Sequence, residues 1–102
     1  MDYTPRSEHW PAIYGRIVLE DSAGAVIGPT GLALCFLVAA KEADLGYSEP
    51  VCWANSTVQK LLGITENTLL EARRRSVKAG WLAYEARGTR LAGLYRTRIP
   101  GE

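Results

Sequence analysis

Three consecutive arginines, Arg73, Arg74 and Arg75, with Lys78 close behind and Arg87 and Arg90 further on, are the densest chemistry in the chain. Guanidinium and ammonium groups gathered in this way suit a polyanion, because each phosphate they neutralise releases condensed counterions. The formal net charge is only +1, but the average hides a division. Residues 1–52 set Arg6, Arg16 and Lys41 against Asp2, Glu8, Glu20, Asp21, Glu42, Asp44 and Glu49. Residues 53–98 reverse the balance, with Lys60, Arg73, Arg74, Arg75, Lys78, Arg87, Arg90, Arg96 and Arg98 against Glu66, Glu71 and Glu85. One half would then face a polyanion and the other face elsewhere. A solvated basic face without a partner fits the same charges, and cations in the C-terminal half of a helix also favour its dipole.

Other chemistries lack their residues. His9 is the one histidine, and it lies in a segment read as a loose tail. There is no HExxH and no Cys/His cluster, and Gly24, Gly28 and Gly31 are wrongly spaced for a phosphate-cradling GxGxxG loop. No base can be paired with a serine by sequence. The expectation is therefore no catalysis, no metal and no cofactor. Cys35 and Cys52 form no CxxC and each sits among apolar residues, as buried reduced thiols do. A disulfide would need an oxidising compartment. The longest run without charge or proline is residues 30–40, short of the ~20 residues of a spanning helix. The first residues lack the basic-then-apolar pattern of a signal segment. A cytoplasmic location without membrane contact is expected.

The 102 residues, 47% hydrophobic and 23% charged, suffice for one globular core and exclude disorder throughout. Residues 1–11 look like a tail interrupted by Pro5 and Pro11, with Trp10 as a possible anchor. Residues 13–19 and 25–27 flank the turn-forming Asp21, Ser22 and Gly24, so residues 1–28 read as an N-terminal extension containing a hairpin; a short helix over 14–19 is the alternative. Gly28, Pro29 and Thr30 open a helix over residues 31–43, apolar nearly all round and hence central. Residues 47–53 form a short extended segment. Ser56 and Gln59 form a capping box for a helix over 57–62 that Gly63 ends. Thr65 caps a helix over 66–79 that Gly80 closes. Residues 81–85 and 93–99 are strands joined by a basic loop, with Tyr84 and Tyr95 in the core. Trp53 and Trp81 pack in the core or at a hinge. The expected fold is α+β.

Val58, Leu62, Gly63, Ile64, Leu69 and Ala72 have the spacing of two helices locked about a tight turn. With the strand pair that follows, residues 61–84, LLGITENTLLEARRRSVKAGWLAY, resemble a winged helix-turn-helix DNA-binding domain. The phrasing is most like the N-terminal domains of phage replication initiators and DnaD-type primosome proteins, and similar phrasing occurs in bacterial transcription regulators. The resemblance covers residues 29–99. It implies a three-helix core with a C-terminal β-hairpin wing, double-stranded DNA as partner, and a role in replication initiation or transcription regulation. The helix over 66–79 would lie in the major groove. Leu69, Ala72, Ser76 and Val77 would face the core. Asn67, Thr68, Leu70, Glu71, Arg74, Arg75 and Lys78 would face outward. Asn67 would pair with adenine, Arg74 with guanine or phosphate, and Glu71 with cytosine or a neighbouring arginine. Thr65 and the first amides of that helix would meet a phosphate. Arg87, Thr89 and Arg90 would form the wing tip.

A second class of function is an assembly module on the same scaffold, binding a second copy or a replication or transcription protein. The acidic, aromatic segment bearing Tyr3, Trp10 and Tyr14 would be its surface.

Overall fold

Trp10, Tyr14 and Val18 recur every four residues, which is one stripe of an α-helix. In the computed structural model, which describes residues 1, 3, 5–88 and 91–102, they lie buried on α1 (Trp10–Glu20). The hairpin expected over residues 13–27 is not formed. Pro11 falls in the first turn of α1, where a missing N–H costs nothing and a fixed φ helps. It therefore opens the helix, and a tail over residues 1–11 is corrected with it. A turn through Asp21, Ser22 (φ 54°) and Ala23 leads into the next helix.

That helix, α2 (Gly24–Asp44), is broken at Gly28, whose φ of 78° and ψ of 170° are non-helical. Pro29 follows, so the expected helix start coincides with the break, and the turn before it is helical as well. The face bearing Ile27, Gly31, Leu34, Cys35, Val38, Ala39 and Glu42 is buried. By length and composition α2 could cross a membrane, with mean hydropathy 1.6, which the apolar run over 30–40 did not foretell. Here its inner face joins the core of the domain, while Ala33, Phe36 and Ala40 are exposed.

β1 (Val51–Trp53), α3 (Asn55–Leu62), α4 (Glu66–Lys78), β2 (Leu82–Glu85) and β3 (Gly93–Thr97) complete the chain. Among the described residues it is an α+β globule of four helices and one antiparallel sheet, with strand order β1-β3-β2. Tyr95 of β3 sits opposite Val51 on one side and Tyr84 on the other. Pleating puts Cys52 outside, so of the two thiols only Cys35 is buried, and both are free. The Ser56–Gln59 box is not formed. α3 starts two residues earlier, after Ala54, and that cap makes no side-chain bond. Gly63 ends α3 in the left-handed region (φ 66°, ψ 40°), which a residue with a Cβ enters at a cost. Trp81 and Tyr95 are buried, while Trp53 and Tyr84 are half-buried.

The two ends of the chain meet. Arg6 donates to both carboxylate oxygens of Glu102 (2.8 and 3.0 Å) and to the Thr97 carbonyl (2.8 Å). Its guanidinium lies 4.0 Å from the centre of the Trp10 ring. The Trp10 indole N–H donates to the Thr97 hydroxyl (2.8 Å), which in turn donates to Glu42. Glu42, fully buried, also accepts from the Thr97 amide (3.1 Å) and from the Tyr3 hydroxyl (2.5 Å). Tyr14 donates to the Trp81 carbonyl (2.6 Å). A buried carboxylate is tolerable only when its lone pairs are filled in this way. Tyr3, Trp10 and Tyr14, expected as an assembly surface, are instead consumed by the fold.

Candidate nucleic-acid interface

Thr65 positions α4. It sits in an extended conformation ahead of the helix, and its hydroxyl accepts from the Thr68 amide (3.2 Å), satisfying one of the free donors of the first turn. Glu66 in that turn complements the dipole. Gly80 follows the helix at φ 90°, which leaves little freedom in where α4 stops.

The inner face of α4 carries Leu69, Ala72, Arg73 and Ser76, all buried. Val77, expected inside, is 37% exposed. Its place is taken by Arg73, one turn after Leu69 on the same stripe. Arg73 donates to Asn55 Oδ1 and to the Tyr95 hydroxyl, both at 2.8 Å, and its guanidinium lies 3.9 Å from the centre of the Tyr84 ring. Sequence reasoning missed this role. The signal was position 73 itself, four residues after Leu69, which a reading by polarity passes over.

The outer face carries Asn67, Glu71, Arg74 and Lys78, all exposed, with spacings of four, three and four residues that keep them on one line along the helix. Thr68 and Leu70 are exposed beside them. Arg74 grips Glu71 with two hydrogen bonds, Nε to Oε2 (3.1 Å) and Nη2 to Oε1 (2.8 Å). The Arg74 hydrogen bonds hold the Glu71 carboxyl below its ordinary range, and Glu71 raises Arg74 in return. Arg75 turns away from this line. It donates to the Val26 carbonyl (2.6 Å) at the break in α2, where Gly28 and Pro29 interrupt the helical bonding. An open cleft lies between that break and α4, bordered by Gly28, Thr30, Thr68 and Arg75.

Beyond β2, Arg87 is exposed but engaged, donating to the Ala92 carbonyl (2.8 Å) and to Cys52 Sγ (3.0 Å). It thereby ties the β2–β3 connection to β1. Thr89 and Arg90, the other expected wing residues, lie outside the described residues. The structure thus brings Thr65, Asn67, Thr68, Glu71, Arg74 and Lys78 together on α4, sets Arg75 against α2 and Arg87 against β1. Among the described residues no group of three or more His, Cys, Asp and Glu side chains is placed to hold a metal ion. No family model matches the chain, and neither a curated protein nor a solved structure matches it.

Proposed function

We propose that this chain binds double-stranded DNA as a winged helix-turn-helix, with α4 in the major groove and the β2–β3 hairpin as the wing. The observation that carries this reading is the division of α4. One face is committed to the core, and the other offers Asn67, Glu71, Arg74 and Lys78 in a line open to solvent. The order α2, β1, α3, α4, β2, β3 supports it, with α3 and α4 joined through the left-handed Gly63. In this arrangement Thr65, Thr68 and the first amides of α4 meet a phosphate, Asn67 reads adenine, Arg74 reads guanine and Lys78 takes a phosphate. Arg87, Thr89 and Arg90 reach the backbone or minor groove from the wing. Arg75 acts indirectly, by holding the α2 break against α4. The activity is binding without chemistry, in replication initiation of the primosome type or in transcription regulation, in the cytoplasm.

Fluorescence anisotropy of a labelled generic duplex across a salt series tests this. Affinity should fall as salt rises, with a log–log slope of about −0.9 for each phosphate neutralised. The slope should be shallow, because Arg74, Arg75 and Arg87 already have partners within the protein. Absence of binding by micromolar protein at ~50 mM salt would overturn the reading, since non-specific affinity is already visible there.

The alternative is assembly with a second copy. It is favoured by exposed apolar residues on α1 and α2, namely Ile13, Leu19, Val26 and Phe36. Light scattering that gives twice the chain mass, together with indifference to DNA, would select it.

A further inference from the structure

We infer that Glu71 and Arg74 form a preassembled guanine reader, in which Arg74 makes the base contact and Glu71 is the positioning residue that decides what Arg74 will accept. The inference rests on the DNA-binding reading, in which Arg74 meets guanine, and goes further by making Glu71 the residue that sets this choice of base.

A guanidinium offers its five N–H donors along two edges. Glu71 occupies the side edge, taking Nε and one hydrogen of Nη2. The end edge, Nη1 with the second hydrogen of Nη2, donates to no other atom among the described residues and lies on the exposed line of α4. Two parallel donors on that edge fit two adjacent acceptors. In the major groove only guanine presents such a pair, O6 and N7. Adenine pairs its N7 acceptor with an N6 donor, which would face a donor of Arg74. Thymine presents one acceptor beside a methyl group, and cytosine presents a donor.

Glu71 also makes a phosphate a poor alternative target. Arg74 alone would be a mobile cation that any backbone phosphate could hold. With Glu71 at 2.8 Å the pair is neutral, its long-range attraction for phosphates largely cancels, and the two hydrogen bonds bias the arginine away from the rotamers that would swing it to the backbone. Lys78, one turn further along the same line, has no such partner among the described residues and keeps the phosphate role. The device trades affinity for discrimination.

The experiment uses the full chain, a duplex enriched from a randomised pool, and its single-base variants, read by anisotropy. Wild type should prefer one G·C pair over its substitutes by about ten-fold, within the span of one bidentate arginine contact. Arg74→Ala should abolish that preference with little change in salt slope. Glu71→Gln should also lower the preference, while binding to generic DNA tightens and the slope steepens by about 0.9, because one cation has been released to the backbone. A surface ion pair without a role in recognition would move neither base preference nor slope in this pattern. Circular dichroism of both variants should match wild type, since both side chains are exposed. If the wild type shows no base preference, or if Arg74→Ala reduces the slope as much as Lys78→Ala does, the guanine reader is overturned while DNA binding stands. If the wild type binds neither the enriched nor the generic duplex, the DNA reading itself falls.

Discussion

The junction of the chain ends and the outer face of α4 are both built from polar side chains, and they use them in opposite ways. At the junction, Tyr3, Arg6, Trp10, Glu42, Thr97 and Glu102 close on one another, and Glu42 and Thr97 are fully buried. On α4, the side chains of Asn67 and Lys78 make no hydrogen bond or ion pair among the described residues, and those of Glu71 and Arg74 bond only to each other, in solvent. A buried polar group left unpaired costs about 1–3 kcal/mol, and the junction pairs nearly all of its polar side-chain atoms, with Arg6 Nε left over. An exposed one costs nothing to leave open and is available to a ligand. Consecutive residues of α4 mark the boundary: Arg73 is locked against Asn55 and Tyr95, while Arg74 is not.

The sharpest way to break this contrast is at Trp10. Trp10→Ala removes a core ring and the Thr97 partner together, and should cost about 3–5 kcal/mol, read as a fall in denaturation midpoint. Trp10→Phe, which keeps an aromatic ring but loses the indole N–H, should cost less. If Trp10→Ala unfolds no more easily than wild type, the N-terminal segment is not part of the core. Next in size, Arg73→Ala should cost about 2–4 kcal/mol by stranding the buried Tyr95 hydroxyl and uncovering Tyr84. A negligible change would mean that Arg73 belongs with the outer face after all.

A smaller effect depends on pH. The Arg6 hydrogen bonds hold the Glu102 carboxyl below its ordinary 4.5, outweighing a slight upward push from burial. A carboxyl lowered in the folded state adds stability above its unfolded value, and that stability is lost as pH falls through the folded one. Wild type should therefore lose an increment on acidification below 4.5 that Arg6→Ala lacks. Glu102 is largely open to solvent, so the increment should be no more than about 1 kcal/mol. Acid melts of the two proteins that fall in parallel, with no extra loss in wild type, would exclude this pairing.

The region around α4 was legible because its signals are local. Gly63, Thr65 and Gly80 punctuate the chain within a few residues of the bonds they make, and the alternation along β3 matches its burial. Where composition competed with geometry, geometry prevailed. The resemblance puts Val77 inside, but the stripe through Leu69, Ala72 and Ser76 takes Arg73 instead. Pro11 was read as a break, although the first turn of a helix is where proline costs least. The junction was illegible for a different reason. Glu42 meets Thr97 across 55 positions and Arg6 meets Glu102 across 96, and no local pattern records such pairings. Glu42 carries no local sign of burial, because its partners lie out of reach of a linear reading. The outer line of α4 could be read because an outward face needs no partner within the chain.

The smallest effect on stability belongs to Lys78, and for that reason it isolates the outer face. Lys78 is exposed, in the last turn of α4, and its side chain makes no hydrogen bond or ion pair among the described residues. Lys78→Ala should leave the melting temperature unchanged, because alanine is at least as good a helix former and no contact is lost. Its one measurable consequence should appear with DNA, as a log–log salt slope about 0.9 shallower than wild type. Base preference should not change, since an ammonium on a phosphate carries no sequence information. A drop in stability would show that the outer face is also structural. An unchanged slope with DNA still bound would move the phosphate contact elsewhere, to the wing or to the first turn of α4. Only a loss confined to the slope leaves the two regions as different as their hydrogen bonding makes them.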